Sequence, residues 1–177
     1  MCYKNTLKAG VGRVCITPPL GTILYGYAPG RPAEKVGDDL FAIAAAFEYG
    51  DTRAIVLTYD VCTCPPELSD EIRREIEKET GVPFGNIITN TSHTHSGPVT
   101  SLRRSGWGSA DIDFMYNNMK PNGVKAAVEA VKDLRPALFG ESVSESLVGS
   151  NRRVIAPDGK ITLGQCPWGL MDKVMTV

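Results

Sequence analysis

Three textures of apolar and polar positions follow one another along this 177-residue chain, and each predicts a different element. TRAIVLTYD, 52 to 60, is almost continuously apolar and begins just after Gly50-Asp51, a turn signal. It predicts a buried strand. The stretch before it, DLFAIAAAFEYG, is ambiguous, because its alanines suit a helix while its length and Gly-Asp end suit a hairpin. The turn decides for a β-hairpin over 40 to 60. Upstream, LKAGVGRVCI, 7 to 16, predicts a strand interrupted or bent at Gly10 and Gly12 and stopped by Thr17-Pro18-Pro19-Leu20-Gly21. From there to about residue 38 the chain is a Gly- and Pro-rich loop carrying Tyr25, Tyr27 and Arg31, long enough to suggest function.

After Asp60 the period changes to four. Leu68, Ile72 and Ile76 form one apolar stripe behind Pro65-Pro66, charged residues cover the other faces, and Gly81 is placed to end the helix. GNIITN, 85 to 90, then predicts a second buried strand. Strand, helix, strand is a crossover, so the strands near 55 and 88 should be parallel neighbours. Residues 96 to 110 form another glycine-bearing loop, and Asp111 is placed to cap the next helix. VKAAVEAVKDL carries that helix on Val124, Val128 and Val131, with a kink or a break expected at Pro121-Asn122-Gly123. PALFGESVSESLVG alternates like a strand, APDGKITLGQ holds an Asp-Gly turn, and KVMTV reads as a strand running off the end. The fold class expected is α/β: a layered domain with a mixed, partly parallel β-sheet flanked by helices, and an incomplete domain. The last strand is expected to lack neighbours, and so to favour aggregation or a dimer through the edge near 172 to 177.

Composition narrows the function. With 19 basic and 20 acidic side chains the formal charge is -1, which offers no general field for nucleic acid or an anionic membrane. Arg103-Arg104 reads as a small surface patch. The five cysteines (Cys2, Cys15, Cys62, Cys64 and Cys166) are odd in number and irregularly spaced, which fits reduced thiols in a cytoplasmic compartment. Cys62-Thr-Cys64 lacks the spacer of a redox pair. No signal peptide is visible in MCYKNTLKAG, and no run of 18 apolar residues suggests a transmembrane segment. Gly10-Val-Gly12 lacks the third glycine of a phosphate-binding loop.

Chemistry concentrates in TSHTHSGP, 91 to 98, which contains both histidines of the chain. On an extended backbone His93 and His95 would share one face, just past the carboxyl end of a parallel strand, where open α/β sheets place ligands. Neutral imidazole binds zinc and also shuttles protons. Two backbone-bonded loop histidines are the plainer alternative. Loops 21 to 37 and 97 to 110 should line one cleft with His93. Asp60, Asp38 and Asp39 are carboxylates within reach of that rim, or else solvated and capping residues. Arg152 and Arg153 are surface charges or an anion contact, and Ser92 and Ser96 lack the elbow of a serine hydrolase.

The ordered combination of AGVGRVCITPPLGTILYGYA, the strand ending in Asp60, TSHTHSGP, LRPALFG and Asn151-Arg152 resembles the neutral/alkaline non-lysosomal ceramidase family. The resemblance covers nearly all of residues 1 to 177, and falls in the N-terminal portion of that family's catalytic domain. It implies zinc-dependent hydrolysis of the amide of N-acylsphingosine, with a ceramide-like or other N-acyl substrate. By the same resemblance His93 binds zinc, His95 lies beside the metal, and Arg152 holds substrate or the developing oxyanion. A further histidine, a glutamate and a tyrosine of the family have no matching position. Val99-Thr100 stands where relatives often have Gly-Gly, and Arg153 where they have serine. The isolated chain is therefore expected to bind zinc weakly and to be inactive, since a catalytic zinc normally takes three protein ligands. Should it act alone, Asp38, Asp60 and Cys62 are the side chains left to complete the site. The alternative function is a noncatalytic truncated homologue that acts as an association module.

Overall fold

The computed structural model describes residues 6–102 and 106–177, so that Cys2, Arg103 and Arg104 lie outside the described residues. The chain divides into two units, Met1–Leu138 and Phe139–Val177.

The first unit is built on a five-stranded sheet in the order β4-β3-β2-β1-β5. Strand β1 (Lys8–Cys15) pairs antiparallel with β2 (Phe41–Tyr49), and β2 pairs antiparallel with β3 (Thr52–Tyr59) through the Gly50-Asp51 turn. The helix α1 (Pro66–Thr80) then carries the chain back to β4 (Ile87–Thr91), which lies parallel to β3. The short β5 (Arg135–Pro136) closes the other edge against β1. Helix α1 buries Leu68, Ile72 and Ile76 as the period predicts, and ends at Gly81 with φ 71°. That left-handed residue donates its N–H to the Glu77 carbonyl at 2.8 Å, so the last turn keeps its bonds.

A second helix, α2 (Lys120–Lys132), begins as a π-helical turn over Phe114–Met119. Asp111 caps it, its carboxylate accepting the Phe114 N–H at 2.9 Å. Pro121 lies just past the change of pitch, where the helix would otherwise need its missing N–H. The helical run is continuous through Pro121-Asn122-Gly123, so the disturbance expected there is taken up as a wider turn, not as a break.

Small residues let α2 lie close to the sheet. Ala42, Ala44 and Ala46 of β2 face Ala126, Ala127 and Ala130 in one buried cluster with both helices. Gly10 and Gly12 are part of this contact: a Cβ on Gly12 would lie 2.0 Å from the Ala126 carbonyl oxygen, and one on Gly10 2.2 Å from that of Ala130. The bend expected at these glycines is absent, and β1 pairs without interruption from Lys8 to Cys15. Their role is close approach of helix to strand. Val11, Ile43, Phe47 and Ile88 project from the opposite face and stay exposed.

In the second unit, β6 (Val143–Glu145) pairs antiparallel with β9 (Val174–Thr176), and β7 (Arg153–Ile155) with β8 (Ile161–Leu163). The Asp158-Gly159 turn closes the β7–β8 ribbon, with the Asp158 carboxylate accepting the Lys160 N–H at 3.1 Å. Two expectations change here. Of the long strand read in 136 to 149, only Pro136, at the end of β5, and Val143–Glu145 are strand, and Leu147 and Val148 stay exposed. The final strand, expected to lack neighbours, has one: β9 holds β6, and Ser142 and Val177 exchange both backbone hydrogen bonds at 2.9 and 3.0 Å. Among the described residues no helix is long and apolar enough to cross a membrane.

Candidate metal centre

Because β3 and β4 are parallel, the residues that follow them leave the sheet at the same end. The Ser92 N–H bonds to the Tyr59 carbonyl at 2.9 Å and the His93 N–H to the Val61 carbonyl at 3.1 Å, prolonging the ladder beyond both strands. This sets His93 against the chain at Cys62. His93 is the one non-glycine among the described residues with positive φ, at 58°. Side chains other than glycine, asparagine and aspartate seldom occupy that region. The histidines share one face, as expected, with ring centroids 5.1 Å apart. The reason differs from the one expected: β4 ends at Thr91, and the left-handed turn at His93, not extended backbone, brings the rings together.

His95 is seated by the long loop. Gly26, with φ 114°, is buried beneath it, and a Cβ there would lie 2.4 Å from the imidazole Cγ. Tyr27 and Tyr25 meet the ring edge-on, at centroid distances of 5.3 and 6.1 Å. The loops at 21–37 and 97–110 are tied together, the Tyr25 N–H bonding to the Gly97 carbonyl at 2.9 Å and the Gly30 N–H to the Trp107 carbonyl at 3.2 Å. The single cleft expected of them with His93 is not what forms: the cavity beside the first loop is lined by neither His93 nor any described residue of 97–110. Thr100 is fully buried and donates its hydroxyl to the Thr63 carbonyl at 2.6 Å. Thr100, one of the two residues standing in place of Gly-Gly, thus ties the histidine loop to the segment that carries Cys62.

Cys62 completes the group. Its thiol, His93 and His95 offer ligand atoms that all lie within 4.8 Å of one another. The Cys62 Sγ is 3.4 Å from His93 Nδ1 and 3.8 Å from Nε2, and the Cys62 carbonyl oxygen is 2.9 Å from Nδ1. Cys62 is 1% exposed, and burial pushes its thiol above the usual value. The neighbouring Cys64 thiol is pushed up to about 11 by burial and lies outside the group. A sulfur and two imidazoles suit zinc better than calcium or magnesium, which prefer oxygen. The four cysteines among the described residues are all free thiols.

The carboxylates read as candidates lie elsewhere. Asp60 accepts the Phe41 N–H at 3.1 Å and Asp39 accepts the Thr17 hydroxyl at 2.8 Å, so each is engaged with groups around the start of β2. Asp38 lines a cavity of about 580 Å³ with Thr17, Leu24, Arg31, Thr94 and Ser96. This cavity adjoins the histidine loop, but none of the three donors lines it. Arg152 belongs to the second unit, where it is exposed and its carbonyl accepts the Gly164 N–H at 3.0 Å. Asn151 braces that turn, bonding to the Leu170 carbonyl and the Arg153 N–H.

The first unit is thus an α/β domain with a candidate His–Cys metal group at the carboxyl ends of its parallel strands. No family model matches the chain. The chain is similar to neutral ceramidase A of Dictyostelium discoideum, at 28% identity over 144 residues, which is 75% of this chain and 20% of that protein. Its fold matches the crystal structure of neutral ceramidase from Pseudomonas aeruginosa with a TM-score of 0.71, at 16% identity over 88% of this chain and 30% of that one. A ceramidase complexed with C2 gives the same TM-score at 19% identity over 86% of this chain and 26% of that one. The chain is thus similar in sequence to a neutral ceramidase, and in fold to two ceramidase structures. It spans about a fifth of the length of the curated relative.

Proposed function

We propose that this chain forms part of a zinc-dependent amide hydrolase of the neutral ceramidase type, which splits N-acylsphingosine into sphingosine and a fatty acid. The observation that carries the reading is the convergence of His93 and His95 at the carboxyl ends of two parallel strands, in a chain similar to neutral ceramidases. Zinc in such a site supplies Lewis acidity, polarising an amide carbonyl and acidifying water. His93 is a ligand. His95, held by Gly26 and the two tyrosines, moves the proton from the attacking water to the departing nitrogen as the C–N bond breaks. Arg152 contributes positive charge to the oxygen that becomes anionic. Free thiols are in keeping with a reducing compartment.

The test is an assay of the protein expressed from its complete reading frame, with a short-chain fluorescent ceramide and zinc. Hydrolysis should fall to background in His93→Ala, and by about 10²- to 10³-fold in Arg152→Ala, as for other oxyanion contacts. The 177-residue chain alone should show no turnover. Cleavage unaffected by His93→Ala would overturn the assignment. One observation favours a second reading, an association module: Leu147, Trp168 and Leu170 of the second unit are 75%, 85% and 97% exposed. A reading frame that continues past Val177 with a further histidine, a glutamate and a tyrosine separates the enzyme from the module.

A further inference from the structure

We propose that Cys62 is itself a metal ligand, so that Cys62, His93 and His95 form a three-donor site for a zinc-class ion within this chain. The inference rests on the reading of the histidine loop as a metal site and goes beyond it in adding the thiolate. Distance carries it first. Zinc bonds of about 2.3 Å to sulfur and 2.0–2.1 Å to nitrogen, at a tetrahedral angle, put the two ligand atoms roughly 3.6 Å apart. Sγ of Cys62 lies 3.8 Å from Nε2 of His93, close to that spacing before any ion draws them together.

The outer contacts agree. Nδ1 of His93 is 2.9 Å from the Cys62 carbonyl oxygen, so its N–H has an acceptor and the Nε2 lone pair is left for a metal. Zinc-binding histidines are commonly oriented by a backbone carbonyl in this way. That carbonyl also accepts the Thr91 hydroxyl at 3.2 Å, which fixes the segment bearing the thiol. The backbone at His93 is held at φ 58° to make the approach, and strain of this kind collects where side-chain placement serves function. Cys64, two residues on, contacts the Pro65 carbonyl and takes no part.

His95 is the third donor when the chain is alone. Where ligands from outside these residues complete the coordination, it is released for proton transfer. The fourth position stays open, as in catalytic zinc sites. The proposal sets aside the expectation of a weak site, which counted the histidines alone.

Titration of the reduced, metal-free chain with cobalt(II) tests it. One equivalent should bind with a thiolate-to-cobalt charge-transfer band in the near ultraviolet. Cys62→Ser should abolish the band and weaken binding roughly tenfold or more, His93→Ala should remove band and binding, and Cys64→Ser should leave both. X-ray absorption of the zinc-loaded wild type, which needs no variant to fold, should show one sulfur at about 2.3 Å. Stoichiometric binding with no band and no sulfur would overturn the thiolate proposal and leave the histidine site standing. No binding by the folded wild type would overturn the three-donor site, while the His93-dependent assay of the complete protein would still decide the hydrolase reading.

Discussion

Tyr59 ends β3 with its side chain fully buried, and its hydroxyl has no hydrogen-bond partner among the described residues. The oxygen fits because α2 has Gly123 opposite, where a Cβ would come within 1.7 Å. A buried hydroxyl without a partner costs free energy, so Tyr59→Phe should raise stability by about 1 kcal/mol, read from denaturant midpoints. It should also alter the alkaline limb. Burial holds the Tyr59 phenol well above its usual 10.0. Its contribution is therefore intact below that value and is lost as the pH rises beyond it, where the unfolded chain ionises first. Removing the phenol should flatten this part of the decline. An alkaline loss unchanged in Tyr59→Phe would show that other groups cause it. None of this was legible in TRAIVLTYD, which announces a buried strand but not what its last side chain meets. The same limit governs the metal group: His93 and His95 stand out in the sequence, whereas Cys62 is 31 residues from His93 and is singled out from Asp38 and Asp60 only by the parallel pairing of β3 and β4.

Between elements, periodic patterns were the most readable. The hairpin, α1 with its glycine cap and the parallel crossover all follow from local signals that agree with one another. The misread glycines show where such signals run out. In a strand a glycine suits either a bend or a close neighbour, and the neighbour of Gly10 and Gly12 is a helix more than a hundred residues away in the chain. Gly12→Ala should therefore destabilise the first unit by about 1–3 kcal/mol, since the clash is with backbone that cannot rotate away. Val11→Ala, whose side chain is 58% exposed on the other face, is the control and should change thermal stability little. Equal losses in the two variants would contradict the close helix–strand contact. The π-helical turn before Pro121 likewise left no pattern beyond the proline itself.

The whole chain divides into two compact units, Met1–Leu138 and Phe139–Val177. Alternation within 136 to 149 looked like a strand because it registers spacing and carries no information about a covering layer. Leu138 and Phe139, at the division, are 101% and 79% exposed. Brief chymotrypsin treatment should cut there first and yield a product of residues 1 to about 138 that binds cobalt like the intact chain, because its three donors all precede the cut. A cut in the histidine loop instead, or a product without cobalt affinity, would contradict this division. The partition bears on the proposed chemistry. The three proposed metal donors all belong to the first unit, so metal affinity should follow the folding of that unit alone. Cobalt affinity would then report on one unit and be blind to the other: loosening the β6–β9 ribbon should leave it unchanged, whereas a packing defect between α2 and the sheet should lower it.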